Sequence, residues 1–322
     1  MRQAGLSAVL IAVALAACAT AMAAPARKAC DKTCLEHIGD EYRAAYLKHD
    51  PALAPFARTV RFTENNVELK FPDGSWDTVT QEVAPALTFS DPKTGGVGIY
   101  TGIMQNDTPG FLAIRLRVRD GRIVEVEHML STKRWVSGPP TPFGDVAKLV
   151  HDPEMARVLA PAERRSRAEM IRVADGYFST LSGNDGTIRT RFAANCHRIE
   201  NGMETAADGC EKAFRLGVYR FNARVRDREY LVVDEARGLV MSRAYIDHKG
   251  AIDQYKLTDG TERRSPFREP HTWSLMETFK IDNGAVGPIE TDFIGSPYFT
   301  RSPLTKAPDC PCSPWPGRGG AR

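Results

Sequence analysis

The first half of the chain is written again in its second half. Asp40-Glu41-Tyr42, His49-Asp50 and Phe56-Ala57 lead to Glu64-Asn65, while Asp175-Gly176-Tyr177, Asn184-Asp185 and Phe192-Ala193 lead to Glu200-Asn201. The offset is 135 residues at the first two blocks and 136 at the later ones, so one inserted residue separates the copies. The ends agree as well: Asp120-Gly121-Arg122-Ile123 with Glu127 answers Asn283-Gly284-Ala285-Val286 with Glu290. A repeat this long is a duplicated domain, not a solenoid unit of about 20–50 residues. A polar residue that one copy carries and the other lacks therefore becomes a candidate for function.

At 322 residues the chain is long enough for two domains, each burying its own core. A formal charge of +3 is too small to argue for a nucleic-acid or anionic-membrane partner. The N-terminus reads as a targeting segment, expected to end at residue 24, with Arg2, an apolar run from Leu6 to Ala17 and then small residues. Ala21-Met22-Ala23 fits ordinary signal cleavage, and Leu15-Ala16-Ala17-Cys18 resembles a lipobox that would leave Cys18 acylated. The expected location is the periplasm or the exterior, with a lipoprotein anchored at Cys18 as the alternative.

Export changes the meaning of the cysteines. Cys30, Cys34, Cys196, Cys210, Cys310 and Cys312 would remain in an oxidising compartment. Proximity and the repeat favour a Cys196–Cys210 disulfide inside the second copy. The other four sit at the two ends of the mature chain, where they are expected to staple the tail to the first helix, with metal binding as the lesser alternative.

Each copy reads helix first, then strands. Leu35 to Lys48 places Ile38, Tyr42, Ala45 and Tyr46 on one helical face, and Arg167 to Leu181 does the same with Met170, Val173, Ala174, Tyr177 and Phe178. Strands are expected at Tyr219 to Val225, Gly238 to His248, Trp273 to Ile281 and Pro288 to Ile294, the last two joined by the Asp282-Asn283-Gly284 turn. A short helix is expected around Val146 to Leu159, and Pro303 to Arg322 should be irregular.

A helix, a strand bearing Glu-Asn and hairpins ending in Asp120-Gly121-Arg122-Ile123-Val124-Glu125-Val126-Glu127 resemble the nuclear transport factor 2-like (SnoaL-like) fold. Cys196 to Gly202, Arg224 to Arg228, Val233 to Val240 and Trp273 to Glu290 are similar to a family of secreted tandem proteins of fungi and bacteria, of unassigned function. The resemblance implies an α+β chain of two tandem cone-shaped domains, each with helices packed in a curved, mostly antiparallel sheet. It implies cones at residues 30–132 and 164–302, a connector at 133–163 and a tail at 303–322. It carries over no catalytic set, because this fold hosts isomerases, dehydratases, cyclases, hydrolases and plain binding modules.

Candidate chemistry comes from polar residues on faces that should be buried. Glu277 shares the apolar face of Trp273, Leu275, Phe279 and Ile281, where the first copy carries Ile114. Apolar surroundings raise a carboxyl's pKa toward the range of a general acid or base; an ion pair with Arg243, or a register shifted by one, would account for Glu277 equally. His128, opposite Thr291 of the second copy, is a proton shuttle or a satisfied core histidine. Arg243 and Tyr245 share a face with Leu239 and Met241, and Asp247 and His248 close that strand. The segment from Lys249 to His271 reads as a lid or an exposed loop, and Tyr219 and Tyr298 are placed near the mouth.

These readings point to an exported small-molecule enzyme working by cofactor-independent acid/base chemistry in the second cone, a lyase or isomerase performing elimination, isomerisation or hydration. Glu277 is the expected acid/base, with Arg243 and His248 as its catalytic companions and Tyr245, Trp273, His271, Tyr219, Tyr298 and His128 around the substrate. The expected partner is an apolar or sugar-like small molecule. Nucleic acid and metal are not expected, membrane contact only through Cys18, and a homodimer is left open. The rival reading is a non-catalytic module that binds a small molecule or a partner.

Overall fold

In a computed structural model, residues 30–133 and 140–305 are described. The expected leader with Cys18, the tail beyond residue 305, and Cys310 and Cys312 lie outside them.

Helix α1 (Lys32–Leu47) opens the first half because Asp31 accepts a hydrogen bond from the Cys34 amide, capping its free N–H groups. It buries Leu35, Ile38, Tyr42, Ala45 and Tyr46, the stripe read from the sequence. Seven strands follow: β1 (Phe56–Glu64), β2 (Val67–Leu69), β3 (Val79–Glu82), β4 (Leu87–Asp91), β5 (Gly96–Gln105), β6 (Thr108–Arg119) and β7 (Arg122–Thr132). After the short α2 (Pro153–Ala156), the second half repeats the plan. Helix α3 (Arg167–Leu181) starts at Ser166, whose hydroxyl accepts from the Glu169 amide. Then come β8 (Arg198–Glu200), β9 (Met203–Glu204), α4 (Cys210–Arg215), β10 (Arg224–Asp234), β11 (Leu239–His248), β12 (Gln254–Lys256), β13 (Glu262–Arg264), β14 (His271–Asp282) and β15 (Ala285–Pro297).

The fold is α+β, with few helices and two large sheets. The first sheet runs β2-β1-β7-β6-β5-β3 and the second, read in the same direction, β9-β8-β15-β14-β11-β10. The parallel pairs β1/β7 and β8/β15 occupy the same place in each, and they carry the Glu-Asn motif. Asn65 donates to the Leu130 carbonyl and accepts from the Leu130 amide; Asn201 does the same with Phe293. Both asparagines adopt positive φ, 49° and 44°, which Asn tolerates better than most side chains. The motif is a clamp that ends one strand on the next.

Each sheet packs its helix against one face and the other sheet against the opposite face. Phe89, Tyr100 and Met129 of the first meet Val232, Leu239, Met241 and Met276 of the second. Gly98 is required at this contact, because a Cβ there would stand 2.6 Å from Phe89 and 2.9 Å from Met241.

Several expectations are corrected. Tyr219 to Val225 is not a strand: Tyr219 to Phe221 form a turn after α4, and pairing begins at Arg224. The helix expected at Val146 to Leu159 is two separate short turns, Val146–Lys148 and α2. Cys30 bonds Cys34 across the first turn of α1 and so does not staple the tail. Cys196 bonds Cys210.

Candidate active site

The inner face of the second sheet is set by the period of two. On β14, Trp273, Leu275, Glu277 and Phe279 point toward α3, while Met276 points to the other sheet. Between that face, α3, β8 and the turn after α4 lies a cavity of about 240 Å³. Tyr177 and Leu181 of α3, Arg198 and Glu200 of β8, Tyr219 and Phe221 of the turn, and Glu277 and Trp273 of β14 all line it.

Glu277 is 3 % exposed, and its Oε1 accepts from the Thr291 hydroxyl at 3.1 Å. Burial pushes its carboxyl up, and the negative charge of Glu200 pushes further. Arg198 and hydrogen bonds from Thr291 and Tyr177 pull the other way, leaving a pKa of about 8. The carboxyl is therefore neutral at pH 7 and can donate a proton.

Arg198 stands beside it. Its Nη1 donates to the Tyr177 hydroxyl at 3.2 Å and lies 3.6 Å from Glu200, and its Nη2 donates to the Tyr219 hydroxyl. Burial opposes the guanidinium charge, but Glu200 and the two tyrosines outweigh it, so its pKa stays above the usual value. Burial likewise raises Tyr177, joined by the charge of Glu277, so its phenol remains protonated. The Cys196–Cys210 disulfide ties the strand bearing Arg198 to α4, whose Phe214 ring lies 6.0 Å from the guanidinium. The Tyr219 ring lies 5.0 Å from it, so Arg198 is clamped by rings as well as by hydroxyls.

Of the residues expected to work together, Glu277, Trp273 and Tyr219 meet at this cavity, and Arg243 and Tyr245 do not. They share the face of Leu239 and Met241 as read, but that face meets the first sheet. Arg243 is fully buried in ion pairs with Glu127 and Glu229, and the Tyr245 hydroxyl accepts from the Ser302 amide. Arg243 is a bond between the halves, not a companion of Glu277.

His248 and His271 face inward but lie behind the wall, stacked with ring centroids 4.4 Å apart. His248 reaches Asn222 through Nε2 at 2.9 Å; burial, reinforced by His271, lowers its pKa to about 3. It is neutral at physiological pH and cannot shuttle protons there. Burial lowers His271 as well. Tyr298 is exposed, its hydroxyl accepting from Arg224. Within the segment from Lys249 to His271, β12 and β13 form a small hairpin, and Phe267 packs on His248, His271 and Trp273.

The first half holds the same positions with other contents. Glu64, His128 and Ile114 lie abreast on β1, β7 and β6, as Glu200, Thr291 and Glu277 do on β8, β15 and β14. Two residues before the glutamate, Phe62 stands where the second half has Arg198. His128 is fully buried: Nε2 meets the Tyr42 hydroxyl at 2.7 Å, and Nδ1 lies 3.3 Å from Ser75 and 3.4 Å from Glu64. Trp76 packs on Tyr42 and Tyr46 and donates to the Tyr42 hydroxyl. His128 is thus a satisfied core histidine. Arg198, which the sequence reading passed over, was open to detection by the comparison that singled out Glu277: an arginine answers a phenylalanine.

A domain of unknown function (DUF8021) matches residues 163–293. That span holds Tyr177, Arg198, Glu200, Glu277 and Thr291. Among solved structures, a candidate ketosteroid isomerase from Kribbella flavida DSM 17836 is 16% identical over 42% of this chain and 98% of its own, with a TM-score of 0.26. AclR, a candidate hydroxylase from Streptomyces galilaeus, is 14% identical over 40% of this chain and 90% of its own, with a TM-score of 0.29. No curated protein matches the sequence. No helix among the described residues is long and apolar enough to cross a membrane.

Proposed function

We propose that residues 164–302 form a cone-shaped domain that performs cofactor-independent acid/base chemistry on a small molecule, by elimination, isomerisation or hydration. In this reading residues 30–132 are a second cone, filled by its own side chains and kept as scaffold, with 133–163 as connector. The protein is exported, and the two disulfides among the described residues are compatible with that.

The observation that carries the proposal is Glu277: a carboxyl held neutral in a cavity it shares with the Arg198–Glu200 ion pair. Glu277, buried and raised, is the acid, and Glu200 beside Arg198 is the base. In an elimination, Glu200 takes a proton from carbon, the carbon–oxygen bond breaks, and Glu277 protonates the departing hydroxyl, which leaves as water. Arg198 and Tyr177 stabilise charge that builds on a neighbouring oxygen. Hydration is the same path reversed, and isomerisation returns the proton to another carbon.

The test is turnover and carbon–hydrogen exchange in deuterated buffer across a panel of small β-hydroxy and unsaturated carbonyl compounds. Glu277→Gln should keep the fold and lose turnover by 100-fold or more, while Glu200→Gln should lose the exchange as well. Ligand binding with no exchange in the parent protein would make the domain a binding module instead.

A further inference from the structure

We infer that the cavity takes a small molecule with one oxygen-bearing head set against Glu277 and an unbroken hydrocarbon body running from there to Trp273, and that it excludes sugars and other polyols. This rests on the cavity being a ligand site, as proposed above, and decides between the apolar and sugar-like molecules that the sequence leaves open. Strand register sorts the wall into two ends. Glu200, Thr291 and Glu277 lie abreast, and one row further in Arg198, Ile289 and Phe279 do the same. Phe279 and Ile289 are fully buried, so the cavity ends at these rows. Polar groups gather there: Tyr177 and Tyr219 both reach Arg198 through their hydroxyls, and the Thr205 amide donates to the Arg198 carbonyl.

In the other direction the wall changes character. Leu275 and Phe293 pair in the next row, and in the row after it Trp273 pairs with Ile246 of β11. All four line the cavity, and Leu181 of α3 and Phe221 of the turn complete that end. Trp273 offers ring carbon, because its N–H has essentially no accessible surface. Asn222 is the polar side chain there, and its Oδ1 is taken by His248 Nε2 at 2.9 Å. From Glu277 to Trp273 the strand runs about 13 Å, at roughly 3.3 Å per residue. A hydroxyl along this stretch leaves water for apolar side chains, at a cost of roughly tenfold in affinity. A methylene in the same place gains about fourfold. The volume of about 240 Å³ lies below the range of roughly 300–1,000 Å³ typical of drug-sized ligands, so the body is short.

The experiment is calorimetry on the full chain with linear methyl ketones of four to nine carbons, and with glucose as the polyol. Affinity should rise about fourfold with each added methylene, at one ketone per chain, and stop rising once the apolar end is filled. Ile246→Thr keeps the β-branched shape and puts a hydroxyl into that end. It should weaken the longest ketones about tenfold and leave butanone within twofold. Glu277→Leu removes the partner of the head and should weaken every ketone about tenfold, with the gain per methylene unchanged. A flat series, glucose bound more tightly than any ketone, an Ile246→Thr protein that weakens short and long ketones alike, or a Glu277→Leu protein that binds them undiminished would overturn the inference. A rising series with no exchange on any carbonyl compound sinks the acid/base reading and upholds the ligand class. Exchange confined to sugars does the reverse.

Discussion

A neutral carboxyl inside a folded protein makes stability depend on pH with a fixed sign, and Glu277 is the place to measure it. Its pKa is about 8 in the fold against an ordinary value of 4.5. Between those values the folded chain holds a proton that the unfolded chain has released. Unfolding then releases a proton, so stability falls as pH rises, by about 1.4 kcal/mol per pH unit for this one group. The contribution is complete below pH 4.5 and is lost as pH climbs through 8. Glu277→Gln removes the titration while keeping an oxygen for Thr291. From pH 5 to pH 7 the variant should gain about 3 kcal/mol relative to the parent, a steady widening of the gap in urea midpoint. Other titrating groups cancel in the comparison. A gap that stays flat from pH 5 to pH 7 would show that Glu277 ionises normally, and the reasoning that makes it an acid would fail.

Three further outcomes are expected. Arg243→Met should cost about 3–5 kcal/mol in urea unfolding, because Glu127 and Glu229 lose their shared partner, and adding Glu127→Leu should recover much of it. Replacing Cys196 and Cys210 together by Ser opens a loop with a sequence separation of 14 and should lower stability by about 3 kcal/mol, read as a fall in urea midpoint. His128→Leu should destabilise by about 1–3 kcal/mol, since the Tyr42 hydroxyl loses one of its two partners, while calorimetric binding in the Glu277 cavity stays within twofold.

What the sequence disclosed follows from which signals are local. The faces of α1 and α3, the strands around Gly238–His248 and Trp273–Ile281, and the turn at Asn283-Gly284 follow from periodicity and backbone preference. Alternation also placed Glu277 and Trp273 on one side of β14 and Arg243 and Tyr245 on one side of β11. It could not say which side holds the cavity. Strand β11 is buried along its whole length, so both of its faces read as interior. Arg243 was paired with the wrong carboxylate for that reason. The Tyr219–Phe221 alternation mimicked a strand because those rings pack against Phe214 and Phe267 from a turn. The partner of Cys30 was misjudged because distance in the chain says nothing about which ends meet in space.

The two sheets carry the same strand order and the same Asn clamp, yet one holds Phe62 and Ile114 where the other holds Arg198 and Glu277 at the edge of a cavity. A pair of identical subunits could not diverge in this way, since any substitution would strike both sites at once. Two halves of one chain carry no such constraint. The filled half packs against the sheet that bears the hollow and so backs the wall behind a buried acid.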